Sequence, residues 1–203
     1  MSAVRTATSE PAPRPEIVLV GGSAGAFQVF RTILGMLPEH LPFPMVLVLH
    51  QLAGRETLLP RLLASLCKLT VSSCLDKEAL VPDTLYVAPP DYHVLVELDH
   101  TVALSQDPPE NFSRPSIDVL FESAANVFGR GLLAILLSGA NADGTRGLRA
   151  IRAAGGRIIV QDPGTAEADR MPRAAIAAVT PDAILSPEEI GKHLVMLAGD
   201  QSS

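Results

Sequence analysis

The chain has 203 residues, 47% of them apolar and 19% charged, and a formal net charge of −6. That length suits one domain, and with aromatics at 4% and no Trp its core must be aliphatic. A negative balance without any basic run excludes non-specific binding to nucleic acid or to an acidic membrane surface.

Residues 1–15 are rich in Pro, Ser, Thr and Ala and read as a disordered tail. They contain no apolar segment of a signal peptide. A domain over 16–198 follows, and 199–203 form a short C-terminal tail. No apolar run reaches the ~18 residues of a membrane span, so a soluble, cytoplasmic protein without membrane insertion is expected. Cys67 and Cys74 lack the spacing of a metal site and read as free thiols in a reducing cytosol. No metal and no cofactor are expected.

IVLVG (17–21) reads as a first strand, and AFQVFRTILGML (26–37) as a helix with apolar residues at Phe27, Phe30, Ile33 and Leu37. MVLVLH (45–50) is a second strand. A helix over 56–67 tolerates Pro60 only in its first turn. Short strands are expected near 70–74 and at 84–87. HVLVEL (93–98) and TVALSQ (101–106), turning at Asp99-His100, form a β-hairpin. DPPENFSRP (107–115) is a polar loop, whose Asn111-Phe112-Ser113 sequon is a chance match.

Ser116 is positioned to cap a helix that carries Asp118 in its first turn and stops at Gly129. LLAILLSG (132–139) has the unbroken apolar run of a strand buried on both faces. A helix then starts near Asp143 and closes on Gly155-Gly156. RIIVQD (157–162), a helix over 171–179 and a strand over 183–186 complete the alternation. Ser186, Pro187 and Glu189 supply the cap, first-turn proline and capping-box acid of a last helix. This alternation predicts an α/β fold: a doubly wound, mainly parallel sheet with helices on both faces and an added antiparallel β-hairpin.

In such sheets, sites form at the carboxyl ends of the strands. Three strands end in chemically distinctive groups: Ser23 after IVLVGG, His50 after MVLVL, and Asp143 after AILLSGANA. A hydroxyl needs a neighbouring base to act as a nucleophile, and a carboxylate behind an imidazole fixes its tautomer. Ser23, His50 and Asp143 supply those three functions. Plainer readings stand beside this one: Ser23 as a turn residue, His50 as a core histidine, Asp143 as the cap of the helix beginning at Gly144. GGSAGA could instead cradle a phosphate, although it matches neither G-x-G-x-x-G nor the P-loop. His40, His93, His100 and His193 read as solvated, and Arg146, Arg149 and Arg152 as an exposed helix face.

Taken together and in this order, GGSAGAFQVF, VLVLHQ, LYVAPPDYHVLV, RPSIDVLFESAA, LLSGANADGTRGL and DRMPRAAIAA resemble the catalytic domain of the chemotaxis protein-glutamate methylesterases, the CheB family, over about residues 16–198. The resemblance implies hydrolysis of glutamate methyl esters on the cytoplasmic helices of methyl-accepting chemoreceptors, with release of methanol. Glutamine deamidation on the same receptors is a second implied activity. Ser23 would be the nucleophile, His50 the base and Asp143 the group that orients it. Ala24, Ala140 and Asn141 would be oxyanion or substrate-binding residues.

The chain departs from the family at that turn. Ala140 stands where the family has Met, Asn141 where it has Gly, and Ala24 where Thr is frequent. Asn tolerates left-handed backbone better than most residues. A receptor-binding scaffold without activity is the alternative from another class, and the intact set of three argues against it. Family members also carry a phosphorylatable receiver domain at the front. Only about 15 residues precede the first strand here, so either a constitutively open site or control by a separate receiver or other regulatory partner is expected.

Overall fold

The computed structural model describes residues 13–51 and 58–199. The tails expected over 1–15 and 199–203 fall largely outside these residues, as does the predicted helix start at 56–57.

The first strand, β1 (Ile17–Gly22), is buried along its whole length. It leads into α1 (Ala26–Leu34), then β2 (Met45–Leu49), α2 (Leu59–Ala64), β3 (Thr70–Ser73) and β4 (Thr84–Val87). The hairpin strands are β5 (His93–Val96) and β6 (Val102–Ser105). Next come α3 (Ile117–Phe128), β7 (Leu132–Leu136), α4 (Thr145–Ala153) and β8 (Arg157–Gln161). The chain ends with α5 (Arg170–Ala178), β9 (Ala183–Leu185) and α6 (Pro187–Gly199).

Among the described residues, seven strands form one parallel sheet in the order β3-β4-β2-β1-β7-β8-β9, and β5-β6 form a separate antiparallel pair. The expected architecture is therefore present. Alternation along β1 sorts its side chains into two cores: Ile17 and Leu19 pack with α3, α4 and the hairpin, Val18 and Val20 with α1 and α6. On α1 the buried positions are Ala26, Val29, Phe30, Ile33 and Leu34, one stripe at helical spacing.

Element ends differ from expectation by a few residues. β7 is assigned only to Leu136, although Ser138 O still accepts the Ser23 N–H at 2.9 Å; the chain turns away at Gly139, whose N–H donates to Ala168 O at 2.9 Å. The Ser186/Glu189 capping box forms as expected, Ser186 N–H reaching Glu189 Oε2 at 2.8 Å and Glu189 N–H reaching Ser186 Oγ at 3.3 Å. Pro60 occupies the first turn of α2, and both cysteines are free.

Three expectations fail. His93 is not solvated but 1% exposed: its Nδ1 accepts the Ser116 N–H at 3.2 Å, so Nε2 carries the proton facing Pro108 O. His193, on α6, is half-buried, and that burial, helped by the Arg157 charge, pulls its pKa down. Arg152 is half-buried and paired with Asp182 at 2.8 Å, so it is not part of an open basic face.

The chain winds outward from β1 through β2 to β3 and outward from β7 through β8 to β9. β1 and β7, adjacent in the middle, mark the reversal of winding. Crevices outside the carboxyl ends of strands at such a reversal are where α/β sheets bind ligands.

Candidate active site

Ser23, His50 and Ser138 follow β1, β2 and β7 in adjacent register. Gly22 pairs with Leu49, and the ladder runs one step further, His50 N–H donating to Gly22 O at 3.2 Å. On the other side Ser23 N–H donates to Ser138 O at 2.9 Å. Parallel strands lie about 4.8 Å apart, so Ser23 and His50 leave the sheet as neighbours. The alternation that buries Val46 and Val48 on the α3 face carries His50 to that same face.

There His50 meets Asp143, whose carboxylate is fully buried, with Nε2 and Oδ2 2.8 Å apart. Its other ring nitrogen, Nδ1, lies 3.3 Å from Ser113 Oγ. Ser23 Oγ has no hydrogen-bond partner among the described residues.

The chain turns at Ser23 because Gly25 adopts left-handed backbone, φ 77°, and starts α1. A Cβ there would stand 2.6 Å from Glu167 Cβ and 2.9 Å from Ser138 Oγ, so the position admits only glycine. Ser138, itself fully buried, braces the turn by donating its hydroxyl to Ala24 O at 2.7 Å. Its N–H is held in turn by Gln161 Oε1 at 2.8 Å.

Asp143 does more than face His50. Its Oδ1 accepts from Ser116 Oγ at 2.8 Å, Asp118 N–H at 3.1 Å, Asn111 Nδ2 at 3.1 Å and Gly144 N–H at 3.0 Å. Oδ2 accepts from Ile117 N–H at 2.7 Å as well as from His50. Burial alone would raise the pKa of Asp143, but the hydrogen bonds from His50, Ile117, Ser116 and Asp118 outweigh it and hold it at about 2. The neighbouring Asp118 moves the other way. Burial, reinforced by the Asp143 charge, raises its pKa against the opposing Gly147 N–H.

These bonds correct two local readings. Ser116 was expected to cap its own helix, yet its side chain makes no cap and bonds Asp143 instead. Asp143 stands before α4, but it is the first turn of α3 that donates two backbone N–H groups to it. Asp118 reciprocates from α3, accepting Gly147 N–H of α4 at 2.8 Å. Each helix N-terminus is satisfied by a carboxylate of the other, which also places negative charge where both dipoles favour it.

Among the remaining candidates, the backbone N–H groups of Ala24, Ala140 and Asn141 find no acceptor among the described residues. Asn141 does not take positive φ, so the turn does not need a glycine there. Its Oδ1 accepts Asp143 N–H at 3.2 Å instead.

Asn111, Ser113 and Ser138 are site residues that sequence reasoning passed over. Asn111-Phe112 is a tight turn in which both residues have positive φ, 49° and 63°, closed by Glu110 and Ser113 exchanging backbone bonds of 3.1 and 2.8 Å. Asn111 Nδ2 bridges Asp143 and Asp118 Oδ2, the latter at 2.9 Å. The only available signal was the Asn111-Phe112-Ser113 triplet between prolines, which reads as an ordinary loop. A cleft of about 320 Å³ opens beside His50, walled by Pro109, Phe112, Ser113 and Pro115. No group of three or more His, Cys, Asp or Glu suited to a metal occurs among the described residues, and no described helix is long and apolar enough to cross a membrane.

An imidazole bound to a buried carboxylate, at the end of a strand whose neighbour ends in a serine-bearing turn, suits acyl transfer. Comparison with known proteins agrees. The sequence profile of the CheB methylesterase family matches residues 18–194. A protein of Leptospira interrogans, provisionally assigned as a protein-glutamate methylesterase/protein-glutamine glutaminase, is 43% identical over 182 residues, covering 90% of this chain and 94% of its own. The protein-glutamate methylesterase/protein-glutamine glutaminase of Maricaulis maris is 36% identical over 188 residues, where the match covers 91% of this chain but 47% of that longer protein. The crystal structure of the Thermotoga maritima CheB methylesterase catalytic domain superposes with a TM-score of 0.86 at 30% identity, covering 90% of this chain and 98% of that one. The chain belongs to the CheB methylesterase family.

Proposed function

We propose that the chain is a cytoplasmic serine hydrolase that removes methyl esters from glutamate side chains of methyl-accepting chemoreceptors, through Ser23, His50 and Asp143. The observation that carries the reading is the 2.8 Å contact of His50 Nε2 with buried Asp143, one register step from Ser23. Its free cysteines fit a reducing compartment.

Asp143 binds Nε2 and, being ionised, can only accept; the Nε2 proton therefore stays with His50 and leaves Nδ1 as the basic nitrogen. Ser113 Oγ occupies that nitrogen in this conformation. Hydrogen bonds at such sites are often completed only when substrate arrives. Ser23 Oγ adds to the ester carbonyl carbon and passes its proton to His50 Nδ1. Charge on the carbonyl oxygen is met by unpartnered N–H groups of Ala24 and the Ala140-Asn141 turn. Methoxide leaves with the His50 proton as methanol. Water, deprotonated by the same nitrogen, then cleaves the acyl-enzyme to the glutamate carboxylate and restores Ser23. A glutaminase reading runs the same steps with ammonia as the leaving group, and the paired names of the relatives favour carrying it.

The test is methanol release from membranes carrying methyl-labelled chemoreceptors. Wild type is expected to release it and Ser23→Ala to release none while folding normally. Release by the Ser23→Ala variant would remove the nucleophile from this scheme.

A further inference from the structure

Ser138 is fully buried, and each of its polar atoms is bonded. A buried hydroxyl needs a partner for its proton and another for its lone pairs. Ser138 Oγ gives its proton to Ala24 O at 2.7 Å and accepts the Ala168 N–H at 3.0 Å. The main chain is held as firmly, its N–H donating to Gln161 Oε1 at 2.8 Å and its O accepting the Ser23 N–H at 2.9 Å. Gln161 is buried too and fixed from its other end, Nε2 donating to Thr165 Oγ1 at 3.1 Å.

These bonds span two turns. Ser23-Ala24 follows β1, and Ala140-Asn141 begins two residues after Ser138. The unpartnered N–H groups assigned above to the carbonyl oxygen come from both turns. Donors from separate turns meet one oxygen only if their separation is set beforehand. Ala24 is pinned on its two sides: Ser23 O accepts the Ala26 N–H at 3.0 Å, and Ala24 O accepts the Ser138 hydroxyl. Beyond Ser138 the chain has no slack either. Gly139 N–H donates to Ala168 O and Gly139 O accepts the Met171 N–H, both at 2.9 Å.

We infer that Ser138 is a positioning residue whose hydroxyl fixes the Ala24 N–H relative to the Ala140-Asn141 N–H groups, so that both sides meet the developing oxyanion; this rests on the serine-hydrolase reading above. Ser138 itself touches no substrate and acts through the Ala24 backbone. Its hydroxyl bonds neither His50 nor Asp143, so removing it leaves the base as it was. The loss then falls on the chemical step, and by the same factor at every pH.

The test compares wild type, Ser138→Ala and Ser138→Thr in two assays. One is the rate at which a fluorophosphonate probe labels Ser23, with the label located by peptide mapping. The other is methanol release from membranes carrying methyl-labelled chemoreceptors. Ser138→Ala should label about 10- to 100-fold more slowly and lose a similar factor in kcat, with KM and the shape of the pH profile unchanged. Ser138→Thr keeps the hydroxyl and should recover most of both rates. Should Ser138→Ala fail to fold, Ser138→Cys, close in shape but a weaker donor, must show the loss instead. A merely structural role would lower the melting temperature and leave the rates of folded protein, measured well below the melt, as in wild type. Rates within about threefold of wild type, a loss carried by KM, or no recovery in folded Ser138→Thr would each overturn the assignment. A wild type that does not label at Ser23 would overturn the nucleophile reading and this inference with it. Labelling without methanol release would overturn only the receptor substrate, and the labelling rates would then decide the role of Ser138.

Discussion

Asp143 has only oxygens to offer, and donors occupy both: four bond Oδ1 and two, counting His50, bond Oδ2. Asp143→Asn replaces one acceptor with an amide that must donate. Whichever way the amide turns, at least two buried donors lose their partner, at about 1–3 kcal/mol each. The variant should lose ~10³–10⁴-fold in kcat, as wrong-tautomer triad variants do. Unlike a triad acid that only orients its histidine, it should also lose about 2 kcal/mol or more of unfolding free energy in urea. Unchanged stability would mean that the bonds from α3 are not maintained in solution. The sequence marked Asp143 through its position after a buried apolar run. It could not show that the partners lie 25 to 27 residues upstream at Ser116–Asp118 and 93 upstream at His50, because those distances are closed only by the fold.

At the scale of elements, α3 and α4 are the pair that builds the site, and they approach closely at Gly147. A Cβ at Gly147 would lie 2.4 Å from Phe121 Cβ and 3.1 Å from Asp118 O, neither of which can swing aside. Gly→Ala inside a helix ordinarily stabilises. Gly147→Ala should instead destabilise by about 1–3 kcal/mol through overpacking. It should lower activity too, since Gly147 N–H holds Asp118 and the first turn of α3 holds Asp143. Thermal melts together with ester turnover check this, and a stabilised Gly147→Ala would show that the two helices have room to separate. Helices and strands were legible because their apolar periodicity is local, as on α1 and β1. The crossed caps were not, since a carboxylate that caps a neighbouring helix looks in sequence like one that caps its own. Asn111-Phe112 was hidden for a related reason: its turn places Phe where turn chemistry calls for Gly, so no turn signal was present.

Across the whole molecule, the buried carboxylate joins parts of the chain that wind in opposite directions: the β7–α4 turn, the start of α3, and His50 at the end of β2. Its ionisation is therefore linked to folding. Asp143 titrates at about 2 in the folded protein and near 3.9 when unfolded. The unfolded state thus binds the proton first as pH falls, and the folded state is disfavoured from there down. A depressed carboxylate contributes stability that is complete above the unfolded value and is lost as pH falls through the folded one. The difference corresponds to about 2 kcal/mol, lost between about pH 5 and pH 2. Asp118, with a raised pKa, acts with opposite sign: its contribution is present at low pH and is lost as pH rises through its folded value. As pH falls towards the unfolded carboxylate value, that gain opposes part of the Asp143 loss. Urea unfolding of wild type and Asp143→Asn, measured from pH 7 to pH 2, isolates the linkage, because the variant has no group to titrate there. The gap between the two should be widest near neutrality and shrink by about 2 kcal/mol on acidification. A gap that stays constant with pH would mean that Asp143 is not held ionised by the groups around it.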